Sequence, residues 1–348
     1  MNKSSLISVI VVNYNGRHLL EACLESLRVQ TYPHREVILV DNGSSDGSAA
    51  YVKERFPEVK VIRSERNLGF AGGNNLGARH AHGELIALLN NDAAAASDWL
   101  EKMLQAFEQP RVAVAMAKVY TEGAPAEYYE KNGTINFLGY NIMRVFEEPW
   151  RTFFASGCAL VYRRDVVGEV PFDPDYFLYA EDVYLSWHVR LKGWEVVQVP
   201  DAVVYHKGSV TARKRRDTVF YQTRNRLLNC LLFYEKATLL KLAPYFAFDF
   251  VAGAVRHARL PANLLAFWGG YLVALLGFPA ILTKRRLLQA ARVVSDGEIL
   301  QLMSCKLLNE GGTPARFFNG ISSLYCRLVG LETMERYAEG RGYSADRG

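Results

Sequence analysis

The chain has 348 residues, of which 50% are hydrophobic and 22% are charged. This composition supports one large or two modest folded domains and excludes a disordered chain. The formal net charge of +5 is too small to indicate nucleic-acid binding, and the sequence has no RNP, zinc-finger or helix-turn-helix signature.

The cysteine pattern indicates a reducing compartment. The five cysteines are scattered without a CxxC pair: Cys23, Cys158, Cys230, Cys305 and Cys326. Their spacing fits neither a disulfide framework nor a zinc site. Residues 1–5 run directly into an apolar segment, without the pattern of a signal peptide. We therefore expect a cytoplasmic location.

The first part of the chain alternates between strand and helix patterns. Residues 6–12 and 36–40 are short apolar runs typical of strands buried on both faces. Leucines recur at helical spacing in residues 20–27, residues 49–56 have a helical pattern, and residues 59–62 have a strand pattern. Strand, helix and strand joined by short loops predict a parallel α/β sheet.

Two acidic residues follow strands of this predicted sheet. Asp41 comes after residues 36–40, and Asp92 follows the apolar run 85–89. Ligands of parallel sheets bind at the carboxyl ends of the strands, so both carboxylates can face one pocket. One would suit a base or a ribose, the other a metal-bound diphosphate. The alternatives are that Asp41 only caps the next helix and that Asp92 starts a turn.

Residues 66–77 are dense in glycine and asparagine (RNLGFAGGNNLG). Such a segment lets the backbone approach a ligand closely, and N–H groups at a helix start attract phosphate. It matches neither the GxGxxG fingerprint after a strand nor the P-loop. A plain helix N-terminus is the alternative interpretation.

Glu181 and Asp182 follow an aromatic, proline-containing loop at residues 172–180. Apolar side chains then recur every four residues over 183–191, and Gly193 ends the predicted helix. The helix dipole keeps an acid at this end ionised, as a general base requires. A helix cap without a catalytic role is the alternative.

Several motifs occur in one characteristic order. They are VIVVNYN (9–15), VDNGSSDGS (40–48), NLGFAGGNN (67–75), LNND (89–92), SGCA (156–159), Glu181-Asp182 and PDAVVYH (200–206). In this order and spacing, over roughly residues 6–230, the chain resembles the family 2 inverting glycosyltransferases. The bacterial enzymes that add rhamnose or similar sugars to lipid-linked surface polysaccharide resemble it most.

The resemblance implies a fold called GT-A, a Rossmann-like α/β domain with a mainly parallel sheet, over residues 1–230. It implies that a nucleotide-sugar donor binds to these residues: Asn13, Tyr14, Asn15, Asp41, Asn67, Gly72, Asn74, Asn91 and Arg224. The donor would be dTDP-rhamnose, or another dTDP- or UDP-linked sugar. The acceptor would be a saccharide on a polyprenyl diphosphate, used in cell-surface polysaccharide biosynthesis.

The resemblance also implies the catalytic roles. Asp182 would be the base, with Glu181, Gly157 and Trp187 on the acceptor side. A divalent cation, Mn²⁺ or Mg²⁺, would be held by two residues, Asp92 and His206. A strand-end histidine with a purely structural role is the alternative for His206.

The chain departs from the family pattern at four positions. Tyr184 stands where relatives usually carry an acid, His188 where they often carry arginine, and Asn90-Asn91 where the metal motif often has a second acid or proline. Asp92 is therefore the only acid of that motif, and a bound diphosphate would complete the coordination. A nucleotide-sugar-binding subunit with weak catalysis is the alternative to an active enzyme.

The segment after the last motif is basic. Residues 207–216 contain the run Arg213-Lys214-Arg215-Arg216, and Arg224-Asn225-Arg226 follow farther along the chain. A basic loop here could close over the donor diphosphate or meet the acceptor pyrophosphate. A solvated basic face is the alternative.

Residues 231–348 form a predicted helical region that associates with a membrane. Residues 260–283 have no charged side chain, although two prolines and three glycines interrupt them, and residues 239–255 are also largely apolar. These stretches predict a helical pair resting in the inner leaflet of the cytoplasmic membrane, with basic flanks on anionic head groups. A true span and a soluble helical or dimer-forming tail are the alternatives.

Overall fold

The structure is a computed structural model. It describes residues 5–122, 133–143, 148, 150–208, 215–308 and 312–336. These residues fall into two compact units. Unit 1 comprises residues 5–122, 148, 150–189 and 194–208, and unit 2 comprises residues 133–143, 190–193, 215–308 and 312–336.

Strands and helices alternate as far as residue 89, and every element that the structure describes after residue 206 is a helix. The strands are β1 (Ile7–Asn13), β2 (Arg35–Asn42), β3 (Lys60–Ser64), β4 (Leu85–Leu89), β5 (Ala93–Ala95), β6 (Val112–Thr121), β7 (Gly133–Ile135), β8 (Asn141–Met143), β9 (Ala159–Arg163) and β10 (Glu195–His206). The helices are α1 (Arg17–Arg28), α2 (Ser48–Arg55), α3 (Gly69–Arg79), α4 (Trp99–Ala106), α5 (Arg164–Val167), α6 (Glu181–Leu191), α7 (Arg215–Phe233), α8 (Lys236–His257), α9 (Pro261–Leu276), α10 (Phe278–Ala290), α11 (Asp296–Leu300) and α12 (Thr313–Leu328). The strands and helices predicted in the first 62 residues are confirmed.

Unit 1 contains an eight-stranded sheet, counted over the described residues, with the order β3-β2-β1-β4-β9-β6-β10-β5. Strand β1 runs parallel to β2 and β4, β2 to β3, and β6 to β10. Strand β9 runs antiparallel between β4 and β6, and β5 pairs antiparallel with the end of β10. The predicted α/β class with a mostly parallel sheet is therefore confirmed.

The centre of the sheet is apolar on both faces. Strand β4 is buried along its whole length, and β1 has only one residue that is partly exposed. Leu20, Leu24 and Leu27 of α1 pack into the same core. Both faces of these strands must exclude water, so their sequences are continuous apolar runs rather than alternating ones. The polar side chains that follow the runs therefore collect at the strand ends.

Unit 2 consists of helices and the β7–β8 pair, and its interior contains a polar cluster. Arg226 of α7 donates to Asp249 Oδ2 of α8 at 2.6 Å and to the Leu138 carbonyl at 2.7 Å. The hydroxyls of Tyr140 and Tyr271 donate to the same carboxylate at 2.8 and 2.6 Å. The predicted domain boundary at residue 230 lies inside α7, which belongs to unit 2 as a whole.

The helical C-terminal region is present as predicted. In the described part of the chain, α8 is long and apolar enough to cross a membrane, and α9 with α10 passes the same test as a pair bent by 65°. The apolar stretch 260–283 is thus divided between α9 and α10, which meet at Gly277. Membrane contact by these helices stays a prediction. Most of the predicted basic loop, residues 209–214, lies outside the described residues, as do residues 340–348.

Candidate active site

A cavity of about 310 Å³ lies in unit 1 at the polar ends of the strands. Its walls come from the ends of β1, β2 and β10, the start of α3, the loop after β4 and residues 177–179. Five of the predicted site residues line it: Tyr14, Asn67, Asn91, Asp92 and His206. The structure therefore brings together, in one cavity, residues from four separate motifs.

Asn13 holds the strand ends together from behind the cavity wall. Its side chain is fully buried. It accepts a hydrogen bond from Asn91 Nδ2 at 2.8 Å and donates to the hydroxyls of Ser48 and Ser44 at 2.9 and 3.4 Å. Gly16 leaves room for this arrangement, since an added Cβ would lie 2.5 Å from Asn91 Nδ2. In this structure the Asn13 amide organises the site, and a direct contact with the donor stays a prediction.

Asp41 and Asn15 stabilise the loop after β2. Asp41 Oδ1 accepts from the Ser44 N–H at 3.1 Å, and its Oδ2 lies 3.4 Å from Arg63 Nε. Asn15 adopts a positive φ of 52°, and its Oδ1 accepts from the Ser45 N–H at 2.8 Å. Neither residue is part of the cavity lining as described. Their roles as donor ligands stay predictions.

Helix α3 anchors the loop that leads to Asp182. Gly69 has a φ of 74°, and an added Cβ would collide with the Phe177 carbonyl oxygen. Phe70 N–H donates to this oxygen at 2.8 Å. The Asn75 amide exchanges two hydrogen bonds with the Phe172 backbone, at 2.8 and 3.1 Å. The glycine-rich segment thus serves a contact within the protein, in addition to any contact with a ligand.

The other asparagines and the glycine predicted on this segment have local roles. Asn67 Oδ1 accepts from the Gly69 N–H at 2.8 Å and from Asn42 Nδ2 at 3.1 Å. Asn74 is buried and donates to the Phe70 carbonyl at 3.0 Å. An added Cβ at Gly72 would lie 2.8 Å from Leu68 Cβ. Of these residues only Asn67 reaches the cavity lining.

Asp92 and His206 both line the cavity, and their side chains are in contact. His206 Nε2 lies 3.1 Å from Asp92 Oδ1, and both residues also line a second cavity, of about 400 Å³. Among the described residues, no group of three or more His, Cys, Asp or Glu side chains could hold a metal ion. A cation at Asp92 and His206 would need its remaining ligands from substrate oxygens and water, and the role of the two residues as metal ligands stays a prediction.

Asp182 begins helix α6 and is half-buried. Its Oδ1 accepts from the Val183 N–H at 2.8 Å, and its Oδ2 accepts from the Gly157 N–H at 3.3 Å. Burial raises the pKa of the carboxyl, and the backbone hydrogen bonds oppose this effect. The result is a carboxylate with fixed orientation and a higher proton affinity than an exposed aspartate.

Glu181 is more deeply buried than Asp182. Burial first, and the charge of Asp182 second, raise the pKa of the Glu181 carboxyl. Its Oε2 is buried and has no hydrogen-bond partner in the described part of the chain. Tyr179 and Ala180, just before it, have φ values of 70° and 61°, which non-glycine residues rarely adopt. Strained backbone of this kind is often found at functional sites.

Gly157 connects the cavity with Asp182. A Cβ added at Gly157 would lie 3.0 Å from Phe70 Cζ and 3.8 Å from Asp182 Cβ. Phe70 lines the cavity. Sequence reasoning did not single out Phe70, although its position beside Gly69 in the glycine-rich segment was an available signal. The role of Gly157 on the acceptor side stays a prediction.

Two further predicted residues lie away from the cavity lining. Trp187 of α6 is fully buried and packs edge-on against Phe153 at 5.6 Å between ring centroids. Arg224 belongs to α7 of unit 2, where its guanidinium lies 5.6 Å from the centroid of the Tyr221 ring. Roles for Trp187 at the acceptor and for Arg224 at the donor stay predictions.

Sequence comparisons point to one family. The family model described as Glycosyl transferase family 2 matches residues 8–170. The uncharacterized glycosyltransferase YwdF of Bacillus subtilis is 31% identical over 213 residues, covering 58% of this chain and 73% of that protein. The N-acetylglucosaminyl-diphospho-decaprenol L-rhamnosyltransferase of Mycobacterium tuberculosis is 27% identical over 245 residues, covering 60% of this chain and 79% of that protein.

A third relative is far longer than this chain. The O-antigen biosynthesis protein RfbC of Myxococcus xanthus is 27% identical over 224 residues, which cover 60% of this chain but only 18% of RfbC. The activity of that whole protein therefore does not transfer to this chain.

Solved structures of glycosyltransferases share the fold. The crystal structure of GalNAc-T7 with UDP, GalNAc and Mn²⁺ has a TM-score of 0.58 at 17% identity, covering 77% of this chain and 54% of that one. The Staphylococcus aureus TarS structure with UDP-GlcNAc has a TM-score of 0.53 at 17% identity, covering 97% of this chain and 92% of that one. These likenesses concern the fold alone, and they agree with the GT-A fold expected from the motifs. The family-model match and the YwdF match lead to one conclusion: the chain is a glycosyltransferase that belongs to glycosyl transferase family 2.

Proposed function

We propose that this glycosyltransferase moves a sugar, with inversion, from a nucleotide-diphosphate donor to a hydroxyl of a lipid-linked saccharide. The observation that carries the proposal is the Asp182 carboxylate. It is half-buried, fixed by two backbone N–H groups, and separated from the cavity wall at Phe70 by the single residue Gly157. A carboxylate held in this way is suited to receive a proton at a defined point.

The cavity would take the donor. Tyr14 is 45% exposed and offers an aromatic face, while Asn67 and Asn91 supply amide groups. Asp92 and His206 would hold a divalent cation together with the donor diphosphate. Such a cation, when bound, stabilises the negative charge of the departing diphosphate. The structures of GalNAc-T7 with Mn²⁺ and of TarS with UDP-GlcNAc support this half of the proposal as fold-level analogies.

Asp182 would act as the base. The acceptor hydroxyl approaches the sugar carbon from the side opposite the leaving diphosphate. As its oxygen bonds to that carbon and the carbon–diphosphate bond breaks, its proton passes to the Asp182 carboxylate. A positioned general base contributes about 10²–10⁴-fold to such a step. A single displacement inverts the configuration at the carbon.

The proposed sugar is L-rhamnose from dTDP-rhamnose. The Mycobacterium tuberculosis relative and the Salmonella typhimurium protein RfbN, which is 23% identical, are both named rhamnosyltransferases. The name of the first also specifies an acceptor on a decaprenol diphosphate, which supports a polyprenyl-linked acceptor here. A UDP-linked sugar is the second candidate, because TarS was solved with UDP-GlcNAc.

The helices of unit 2 would rest on the inner leaflet of the cytoplasmic membrane. Helices α8 and α9 bury Asp249 and Asn263, while Val251, Val255 and Leu265 are 61%, 71% and 67% exposed. Helix α9 is about 24 Å long, shorter than a hydrocarbon core of about 30 Å. Asp249 lies near the middle of α8, where a charge is costly inside a bilayer. These features favour shallow insertion into one leaflet over a transmembrane span.

The substitution Asp182→Asn tests the proposal. We expect it to abolish the release of nucleoside diphosphate that a lipid-linked acceptor stimulates, while donor binding persists. Asp175→Asn is the matched control, because Asp175 is exposed in the loop that precedes α6, and this variant should retain transfer. Transfer by the Asp182 variant at a near-normal rate would remove the base assignment. If the wild-type protein binds donor without releasing nucleoside diphosphate, the chain is instead a weakly catalytic binding subunit.

A thermal-shift panel of nucleotide sugars, with and without Mn²⁺ or Mg²⁺, identifies the donor. The true donor stabilises the folded protein by mass action, and the shift grows with its concentration. We expect dTDP-rhamnose to give the largest shift and the cation to increase it. A larger shift with a UDP-sugar would favour the second candidate.

A further inference from the structure

Helix α12 presents its apolar side chains away from the protein. Phe317, Ile321, Leu324 and Leu328 follow one another at steps of four, three and four residues, which places them on one stripe of the helix. They are 63%, 49%, 59% and 76% exposed. An ordinary surface helix of a soluble domain buries such a stripe against the core.

The opposite side of α12 is packed, and its residues are small or polar. Ala315, Ser322 and Cys326 are buried there, seven and four residues apart. Ser322 donates to the Cys305 carbonyl at 2.7 Å. Asn319, on the same side, accepts from the N–H groups of Leu307 and Leu308 at 2.8 and 3.1 Å. These hydrogen bonds fix the rotation of the helix, so the apolar stripe cannot turn inward.

The charges of α12 are all of one sign. Arg316 and Arg327 are exposed, and at 100° per residue they lie together along one flank of the stripe. The helix has no acidic residue between Thr313 and Leu328. An outward apolar stripe with a basic flank is the pattern of a helix that lies in the plane of an anionic membrane surface. A symmetric contact with a second copy would bring like charges close together.

We propose that α12 inserts its stripe of Phe317, Ile321, Leu324 and Leu328 into an anionic lipid leaflet, with Arg316 and Arg327 at the phosphate level. This inference rests on one part of the proposed function, namely that the enzyme works at a membrane. The contact uses residues other than those proposed for α8 and α9.

An environment-sensitive label tests the contact directly. All five native cysteines are buried, so a cysteine added at an exposed position can be labelled selectively. We expect a nitrobenzoxadiazole label on Ile321→Cys to brighten and shift to shorter wavelength on vesicles of phosphatidylcholine with phosphatidylglycerol. The same label on Val29→Cys, an apolar position in unit 1 that is 59% exposed, is the matched control and should not respond. An Ile321→Cys label that stays in water while the protein floats with the vesicles overturns the proposal.

Two glutamate substitutions in the apolar stripe supply the second measurement. The double variant Ile321→Glu/Leu324→Glu should bind anionic vesicles at least about tenfold more weakly than the wild-type protein. Val29→Glu should bind as the wild-type protein does. Equal binding by the double variant, no binding by the wild-type protein, or a wild-type dimer that the double variant converts to monomer in sedimentation without lipid would each overturn the proposal.

The two proposals fail in different ways. Vesicle binding is measured without donor or acceptor, whereas transfer is measured on a short-chain acceptor that needs no membrane. We expect the double variant to keep transfer to this soluble acceptor. Loss of its vesicle binding with retained transfer supports the role of α12, and absence of transfer by a wild-type protein that binds vesicles overturns only the proposed function.

Discussion

Gly157 donates its backbone N–H to Asp182 Oδ2 at 3.3 Å, and the Phe70 ring occupies the space next to the missing side chain of Gly157. The Phe70 ring in turn packs against Phe172, with 5.8 Å between ring centroids. The proposed base and the donor cavity are therefore in contact through a residue at which an added methyl group would press on the Phe70 ring.

Gly157→Ala should impair catalysis more than folding. The new methyl group would press on Phe70, which packs against Phe172, whereas its 3.8 Å approach to Asp182 Cβ is an ordinary contact. Because Phe172 supports Phe70, we expect part of the strain to move the Gly157 backbone, whose N–H holds Asp182 Oδ2. We expect turnover to fall about tenfold or more, with a loss of about 1–3 kcal/mol in the free energy of unfolding from overpacking. Steady-state kinetics and denaturant unfolding measure the two effects. Gly320→Ala is the control, since nothing lies within 4 Å of its added Cβ. Unchanged turnover in Gly157→Ala would show that Asp182 tolerates displacement.

Removal of the divalent cation and substitution of its two proposed ligands should have overlapping effects. We expect a chelator, Asp92→Asn and His206→Ala each to weaken nucleotide-sugar binding. Combined, they should cost less than the sum of their separate effects, because all three act on one cation. Calorimetric titration with and without Mn²⁺ measures this. Asp98→Asn, in a surface ion pair with Lys102, is the control. If the losses in nucleotide-sugar binding are fully additive, the cation binds at a site other than Asp92 and His206.

Glu181→Gln should change how stability depends on pH. The pKa of Glu181 is raised above its ordinary value of 4.5, chiefly by burial, so the folded protein keeps a proton that the unfolded chain has already lost. The wild-type free energy of unfolding should therefore fall as pH rises above 4.5, until Glu181 itself ionises in the folded state. The variant should show a smaller fall, not none, since the raised pKa of Asp182 acts in the same direction. Denaturant unfolding at a series of pH values measures the slope.

Glu36 offers a control of opposite sign. Burial would raise its pKa, but hydrogen bonds from Ser8 and His82 outweigh burial and hold the pKa below its ordinary value. Its contribution to stability is present above that ordinary value and is lost as pH falls through the lowered one. Glu36→Gln should therefore flatten the pH dependence of the free energy of unfolding on the acidic side.

Identical slopes for Glu181→Gln and the wild-type protein would contradict the argument that burial raises the pKa of Glu181.

Asp249→Ala should destabilise unit 2 strongly. The substitution leaves the Arg226 guanidinium buried without the carboxylate that lies 2.6 Å from it. Removing one partner of a buried ion pair lowers the free energy of unfolding by about 3–5 kcal/mol. Tyr271→Phe removes one hydrogen bond to the same carboxylate and should cost only about 1 kcal/mol. Urea unfolding followed by circular dichroism compares the two variants, and similar losses for both would show that the ion pair adds little.

The positions of the strands and of the polar residues after them were predictable from the sequence. Asp92 follows an apolar run, and the carboxyl ends of parallel strands meet at one edge. The use of each polar group was not predictable, because an amide that binds a ligand and one that binds its neighbours look alike in a sequence. Asn13 is the clearest example, since its side chain is engaged by Asn91, Ser44 and Ser48.

The structure of unit 2 was harder to predict, for two physical reasons. Residues 133–143 lie far from the C-terminal helices in sequence, and local composition does not report long-range contacts such as that of Arg226 with the Leu138 carbonyl. The stripe on α12 has a helical period, but a period does not show which side faces the protein. The exposed stripe itself and the hydrogen bonds of Ser322 and Asn319 on the packed side reveal that the apolar side points outward.

The contact between α3 and the loop before Asp182 constrains how members of this family can be recombined. The Phe70 N–H with the Phe177 carbonyl, and Asn75 with the Phe172 backbone, join segments about a hundred positions apart in the chain. A chimaera that imports residues 172–182 from a relative to change its acceptor should therefore import α3 from the same parent. Crossover points placed between the two segments would separate side chains and backbone groups that are hydrogen-bonded in this structure.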